Sequence, residues 1–392
     1  MSNPPGFREF VAIMALSMSL VAMSIDSMLP ALSQIAADLG VERANDRQLV
    51  ITMLFIGFAI GQVFYGPISD SYGRRKPIYV GFAVFIIGTF VAIFSQTFTM
   101  LLVGRFLQGL GAAGPRIITV AMIRDRASGR EMARLMSLVM MVFILVPAIA
   151  PAVGQVILLF APWRMIFVVL VVLAAITLGW FHLRQPETLA VQNQRPFSML
   201  GIGRAIIEIC TTRVAVIYTL AGGMIFGAFI GFLNSSQQVL QELYGLGTKF
   251  PFYFAMLALT IGVASFVNSR LVTTLGMRLL SKLALWCISL LSLMFFIYCA
   301  FAQASLAVLM AYLMLSFFAM GLLFGNLNSL AMEPLGHIAG LASSAIGSVT
   351  TLLALSLGYL IGSLYNHSLL PMIGGFGLLA MTSLLLIYTA GE

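Results

Sequence analysis

The chain has 392 residues, of which 60% are hydrophobic and 9% charged, a balance that excludes an ordinary soluble domain. Its formal charge of +8 would suit a nucleic-acid partner, but the cations fall in short clusters between apolar runs, the pattern of membrane topology. Three cysteines make no disulfide framework: Cys210 stands alone, and Cys287 and Cys299 lie about 18 Å apart in rise on one expected helix, as packing residues.

Apolar runs of about 20 residues, the length a bilayer requires, divide the chain into twelve expected spans. The first six cover residues 10–32, 49–68, 77–95, 100–123, 135–160 and 165–183. The first run is too long for a signal-peptide core and contains Asp26, so it reads as a retained span. The second six cover 214–238, 250–271, 279–302, 306–330, 341–365 and 370–389. Between the sets lies the longest polar stretch, with Pro186, Gln192, Asn193, Gln194 and Pro196. The expected organisation is a six-helix half over 1–183, a cytoplasmic linker over 184–213 and a second half over 214–392.

Lysine and arginine set the orientation. With the N-terminus cytoplasmic, the inner side holds Arg8, Arg74, Arg75, Lys76, Arg124, Arg126, Arg130, Arg134, Arg184, Arg195, Arg204, Arg213, Arg270, Arg278 and Lys282. The outer side keeps only Arg43, Arg47, Arg164 and Lys249. Both termini are therefore expected in the cytoplasm. The halves also echo one another. Residues 32–39, ending Asp38-Leu39, resemble residues 236–243, ending Glu242-Leu243, and Gly73-Arg74 resembles Gly276-Met277-Arg278. Six-span halves repeated about an axis along the membrane normal are a transporter architecture with its site at mid-depth.

After span 2 the chain reads Gly66-Pro67-Ile68-Ser69-Asp70-Ser71-Tyr72-Gly73-Arg74-Arg75-Lys76, which resembles the signature loop of the major facilitator superfamily. Span 4 opens with Arg105, Gln108, Gly109 and Gly111, similar to the motif around the buried arginine of proton-coupled members. Span 1 ends Ser24-Ile25-Asp26-Ser27-Met28-Leu29-Pro30. Together with Arg124-Asp125 after span 4, it resembles the bicyclomycin-resistance (Bcr/CflA) branch of drug–proton antiporters. Span 5 departs from the antiporter motif: Pro147, Pro151 and Gly154 are present, but Ala150 and Gln155 stand where glycines are expected. The resemblance implies an all-α fold of twelve transmembrane helices and a latch at Gly66, Asp70, Gly73 and Arg74 that holds the outward-facing state. In that latch Asp70 is expected to accept N–H bonds from a facing helix N-terminus. The plainer reading is an anchor of cations in the headgroup zone.

Three ionisable residues fall inside spans: Asp26, Arg105 and Arg116. At a helix centre each costs about 2.5–3.5 kcal/mol on insertion scales, so such groups face a partner or water. Asp26 lies about 9 Å and Arg105 roughly 7.5 Å inside the same expected surface, and the two are expected to meet. A carboxylate beside a guanidinium ionises easily, and an apolar setting favours its neutral form. Alternation between those settings would let Asp26 carry a proton, with Arg105 as its partner; the alternative is a static ion pair. Arg116 stands only about 20° from Arg105 in azimuth and about 16 Å along the helix. It has no visible counter-ion, which favours neutral or anionic solutes in a shared cavity. Snorkelling to headgroups, or bonds to carbonyls loosened by Gly114-Pro115, is the other reading.

In the second half Asn234, Gln237, Asn268, Asn326 and Asn328 are polar within or near spans, as substrate contacts (Asn234 and Asn328 foremost) or as interhelical glue. His182, His337 and His367 form no metal-ligand spacing, and no nucleophile–base pair or phosphate loop is present. The expectation is a multi-pass transporter of the bacterial inner membrane, not an enzyme. It would export small drug-like or metabolic solutes against protons, without metal, cofactor or nucleic acid, as a monomer in lipid. Uptake or facilitated diffusion of a nutrient is the alternative on the same fold.

Overall fold

The computed structural model describes residues 5–127, 129–194, 196 and 198–390; Arg195, counted above with the inner cations, lies outside them. Among the described residues every element is helical and twelve helices are long and apolar enough to cross a membrane. Hydrocarbon leaves an apolar run little alternative, because the α-helix satisfies its backbone internally. The chain forms two compact units, Met1–Leu200 and Gly201–Glu392.

In the first unit α1 (Phe7–Asp26) breaks and resumes as α2 (Leu32–Asp38). Pro30 sits in the break at the start of a 3₁₀ turn and has no N–H to give the carbonyl four residues back. Helices α3 (Leu49–Tyr72), α4 (Arg75–Ile93), α5 (Phe98–Arg126), α6 (Gly129–Phe160) and α7 (Arg164–Arg184) follow. Helix α5 is the hub, packed against α3 and α4. Glycines make this approach close: a methyl at Gly109 would lie 1.7 Å from the Leu54 carbonyl, and one at Gly111 would lie 2.3 Å from the Phe85 nitrogen. Without a hydrophobic drive between helices in lipid, such backbone proximity is a main source of packing energy.

Among the boundaries that differ from the sequence expectation, three in the first unit share one reason. Helix α3 continues to Tyr72, so Gly66, Pro67 and Asp70 lie on its last turns and only Gly73 and Arg74 form the turn. Helix α5 extends to Arg126, and α6 begins at Gly129. Hydropathy reports where hydrocarbon ends, whereas a helix continues into the polar zone while its backbone bonds last. The polar stretch after α7 also contains a helix, α8 (Met199–Thr211).

The second unit holds α9 (Arg213–Gln237), α10 (Phe250–Leu275), α11 (Met277–Phe301), α12 (Leu306–Met332), α13 (Ala339–Ser363) and α14 (Leu370–Thr389). Helix α9 packs on α12, α13 and α14 and widens into a π-helix over Gln238–Leu243. An aromatic ladder joins α9, α12 and α10: Phe229 meets Phe317, Phe317 meets Phe232 at 4.9 Å edge to face, and Phe232 stacks on Phe254.

Candidate functional site

Arg105 is wholly buried, at 0% exposure, and every nitrogen of its guanidinium is engaged. Nε donates to the Val50 carbonyl at 2.9 Å, one terminal nitrogen to Gln108 at 2.8 Å and the other to the Ser24 carbonyl at 2.9 Å. Gln108 in turn donates to Thr89 at 2.8 Å. The network ties α5 to α1, α3 and α4, and hydrogen bonds to a charged group contribute about 1.5–3 kcal/mol each.

The expected pairing of Asp26 with Arg105 is not formed. The guanidinium reaches α1 but takes the Ser24 carbonyl, and the break in α1 explains why. Met28 donates to the Ile25 carbonyl, one residue short of the helical partner, so the Ser24 carbonyl is left for another donor at the negative end of the helix dipole. Asp26 is buried, with 4% exposure, and among the described residues its carboxylate has neither an ion pair nor a hydrogen bond. The spot is crowded: a methyl at Gly154 of α6 would lie 2.0 Å from the Ser27 carbonyl and 3.2 Å from Pro30. Gly154 therefore supports the break, while Pro147 and Pro151 lie inside an α6 that runs through them.

Arg116 is half-buried and neither snorkels to a paired site nor bonds a carbonyl. Its guanidinium carbon lies over the ring of Phe58 at 5.7 Å and that of Phe143 at 5.5 Å. The α5 backbone continues as helix through Pro115.

At the arginine-rich end of the unit, Arg74 is the centre of a compact cluster. It holds Asp125 through Nε at 2.8 Å and a terminal nitrogen at 3.2 Å, Ser69 at 2.9 Å, and Asp70 one turn back. Burial of Arg74 opposes its charge, but bonds to Asp125 and Asp70 outweigh it and raise its pKa. Asp70 therefore does not cap a helix within this unit; Glu187 does. Its carboxylate accepts the N–H groups of Arg74 at 2.8 Å and Arg75 at 3.0 Å at the start of α4. A carboxylate at a helix N-terminus is worth about 0.3–1 kcal/mol. Gly73 admits it: its φ is 84°, and a methyl there would lie 2.7 Å from the Glu187 carboxylate. Thr188 adds a bond to Asp125 at 2.9 Å. Sequence reasoning missed Glu187, because an acid in a polar stretch names no partner until the chain folds back.

In the second unit Asn234 is buried, at 1% exposure, with neither amide atom bonded. Asn328 is exposed on α12. Asn268 and Asn326 instead form a reciprocal amide pair at 3.1 and 2.8 Å between α10 and α12, the interhelical glue of the two readings.

Comparison with known proteins agrees with this architecture. The chain is 31% identical over 399 residues to a bicyclomycin resistance protein homolog of Haemophilus influenzae, covering 97% of this chain and 95% of that one. It is 30% identical over 267 residues to multidrug resistance protein MdtL of Escherichia coli, covering 66% and 64%. In fold it matches the xylose transporter XylE of Escherichia coli in a partially occluded inward-open conformation, with TM-score 0.78, 13% identity and 98% and 97% coverage. The human organic anion transporter MFSD10 matches with TM-score 0.71, 16% identity and 99% and 100% coverage. The sequence pattern of the Major Facilitator Superfamily spans residues 14–358, and the chain belongs to that superfamily: a multi-pass transporter of the bacterial inner membrane, not an enzyme.

Proposed function

We propose that this transporter exports small neutral or anionic solutes in exchange for protons by alternating access, with Asp26 as the proton-carrying residue. The observation that carries the reading is a buried carboxylate, at the break of α1, to which the nearby guanidinium of Arg105 is not committed. An ionised carboxylate is costly in such a place unless water or a cation reaches it. A conformational change that opens the break would release the proton, and closure would favour the neutral form. Arg105 acts here as the fixed framework: it holds the end of α1 by its carbonyl and leaves the acid free to change state. The names of two relatives, for bicyclomycin and multidrug resistance, support export as the direction. Protons are the coupling ion, no other cofactor is involved, both termini face the cytoplasm and the monomer in lipid is the working unit.

Everted membrane vesicles test this reading. With a preformed inward proton gradient, a substrate of an antiporter discharges the gradient when added. Substrate that leaves the gradient unchanged, or accumulates only by symport in right-side-out vesicles, rejects proton-coupled export on this fold.

A further inference from the structure

We propose that Arg116, flanked by Phe58 and Phe143, anchors a carboxylate carried by a flat apolar solute. The proposal deepens the export reading by naming its substrate class, and its chemistry rests on the first unit alone. Two arginines of α5 share nearly one azimuth yet differ in every contact. Arg105 uses all its nitrogens on protein acceptors. Among the described residues Arg116 gives no hydrogen bond and forms no ion pair; its cation faces the rings of Phe58 and Phe143.

A ring face stabilises a cation without supplying an acceptor oxygen. The planar fork of N–H donors on Arg116 therefore has no acceptor among the described residues, and it keeps partial exposure. That fork fits the two oxygens of a carboxylate with paired, charge-assisted bonds, which a lysine ammonium cannot reproduce. Phe58 on α3 and Phe143 on α6 supply aromatic surface for the body of the same molecule. A lipid phosphate is a poorer candidate: Arg116 lies seven residues, about 10 Å, inside the expected hydrocarbon end of its span at residue 123.

The test is binding to the full-length protein in lipid nanodiscs by titration calorimetry, with 2-naphthoate and its neutral isostere 2-naphthamide as probes. The wild-type chain should bind the carboxylate about tenfold or more tighter than the amide. Arg116→Gln should remove that preference. Arg116→Lys should lose most of it despite keeping the charge, and Phe143→Leu should weaken both probes together. Size-exclusion and thermal-melt profiles establish that each variant is folded, and either Arg116 variant suffices if the other is not. Equal affinity for the two probes in the wild type, no binding of either, or a preference that survives at Arg116→Gln overturns the proposal. The vesicle assay scores the export reading separately: failure there with the preference intact rejects proton-driven export and keeps the anion site, and the reverse result rejects the site alone.

Discussion

The two units are built on one plan and filled with different chemistry. Gly73 and Gly276 both end a helix at positive φ, 84° and 75°, and each leads into an arginine that faces an acid at the end of a later helix. In the first unit Arg74 grips Asp125 at 2.8 Å; in the second Arg278 reaches Glu333 only at 3.9 Å, with both side chains about half exposed. A buried polar pair also joins neighbouring helices in each unit, Thr89 with Gln108 between α4 and α5 and Ser292 with Tyr312 between α11 and α12, each at 2.8 Å. At the chain offset that relates Asp38 to Glu242, however, Asp26 corresponds to Ile230, Arg105 to Leu309 and Arg116 to Met320, all three apolar residues being fully buried. Among the described residues, the buried charged groups Asp26, Arg47, Arg74 and Arg105 all belong to the first unit. The two units share helix geometry and turn conformation, while the buried charged residues among those described lie in one of them. A charge inside a span needs a dedicated set of partners, and a helix does not.

The largest expected effect tests where proton coupling resides. Asp26→Asn should abolish substrate-induced discharge of a proton gradient while the protein stays folded, whereas Asn234→Leu in the second unit should leave coupling present. Equal loss in both variants, measured in everted vesicles, would break the division between the units.

Next comes the framework charge. Arg105→Lys keeps the charge but cannot satisfy Val50, Gln108 and Ser24 together, and should cost on the order of 2–4 kcal/mol. Its counterpart Leu309→Met should cost less than about 1.5 kcal/mol. Thermal melts in one detergent rank the two, and similar midpoints would show that the Arg105 network is not what holds α1 to α5.

A smaller contrast separates the two turns. Asp125→Asn should cost about 1–2 kcal/mol through the buried side of Arg74, and Glu333→Gln less than about 0.5 kcal/mol, as an exposed pair predicts. The smallest effect is at the α4 N-terminus. Glu187→Gln retains an acceptor oxygen but loses the charge, and should cost about 0.5 kcal/mol, shrinking further at high salt. A salt-independent loss would mean that Glu187 acts by packing against Gly73 instead.

Much was legible before folding because membrane insertion is written in composition. Twelve apolar runs, the cationic clusters and the three ionisable residues within spans follow from the cost of exposing polar groups to hydrocarbon, which acts residue by residue. The likeness of Gly73 to Gly276 was legible for the same local reason: a positive φ favours glycine. Partner choice was not local. Depth placed Asp26 and Arg105 at one level, but the break at Pro30 offered Arg105 a carbonyl instead of the carboxylate. Within the first unit the start of α4 is capped by Glu187, from a distant segment, and not by Asp70.

Arg116 shows the division most plainly. The sequence determined that a cation stands in an apolar span without an acid nearby, since the charge of arginine is intrinsic and its neighbours along a helix are countable. Only the tertiary structure decided that Phe58 and Phe143, from two other helices, flank it and that no carbonyl reaches it. Which groups surround a side chain depends on how α3, α5 and α6 pack, and the approach of α3 to α5 is close at Gly57, Gly61 and Gly109, residues far apart in sequence from those they meet.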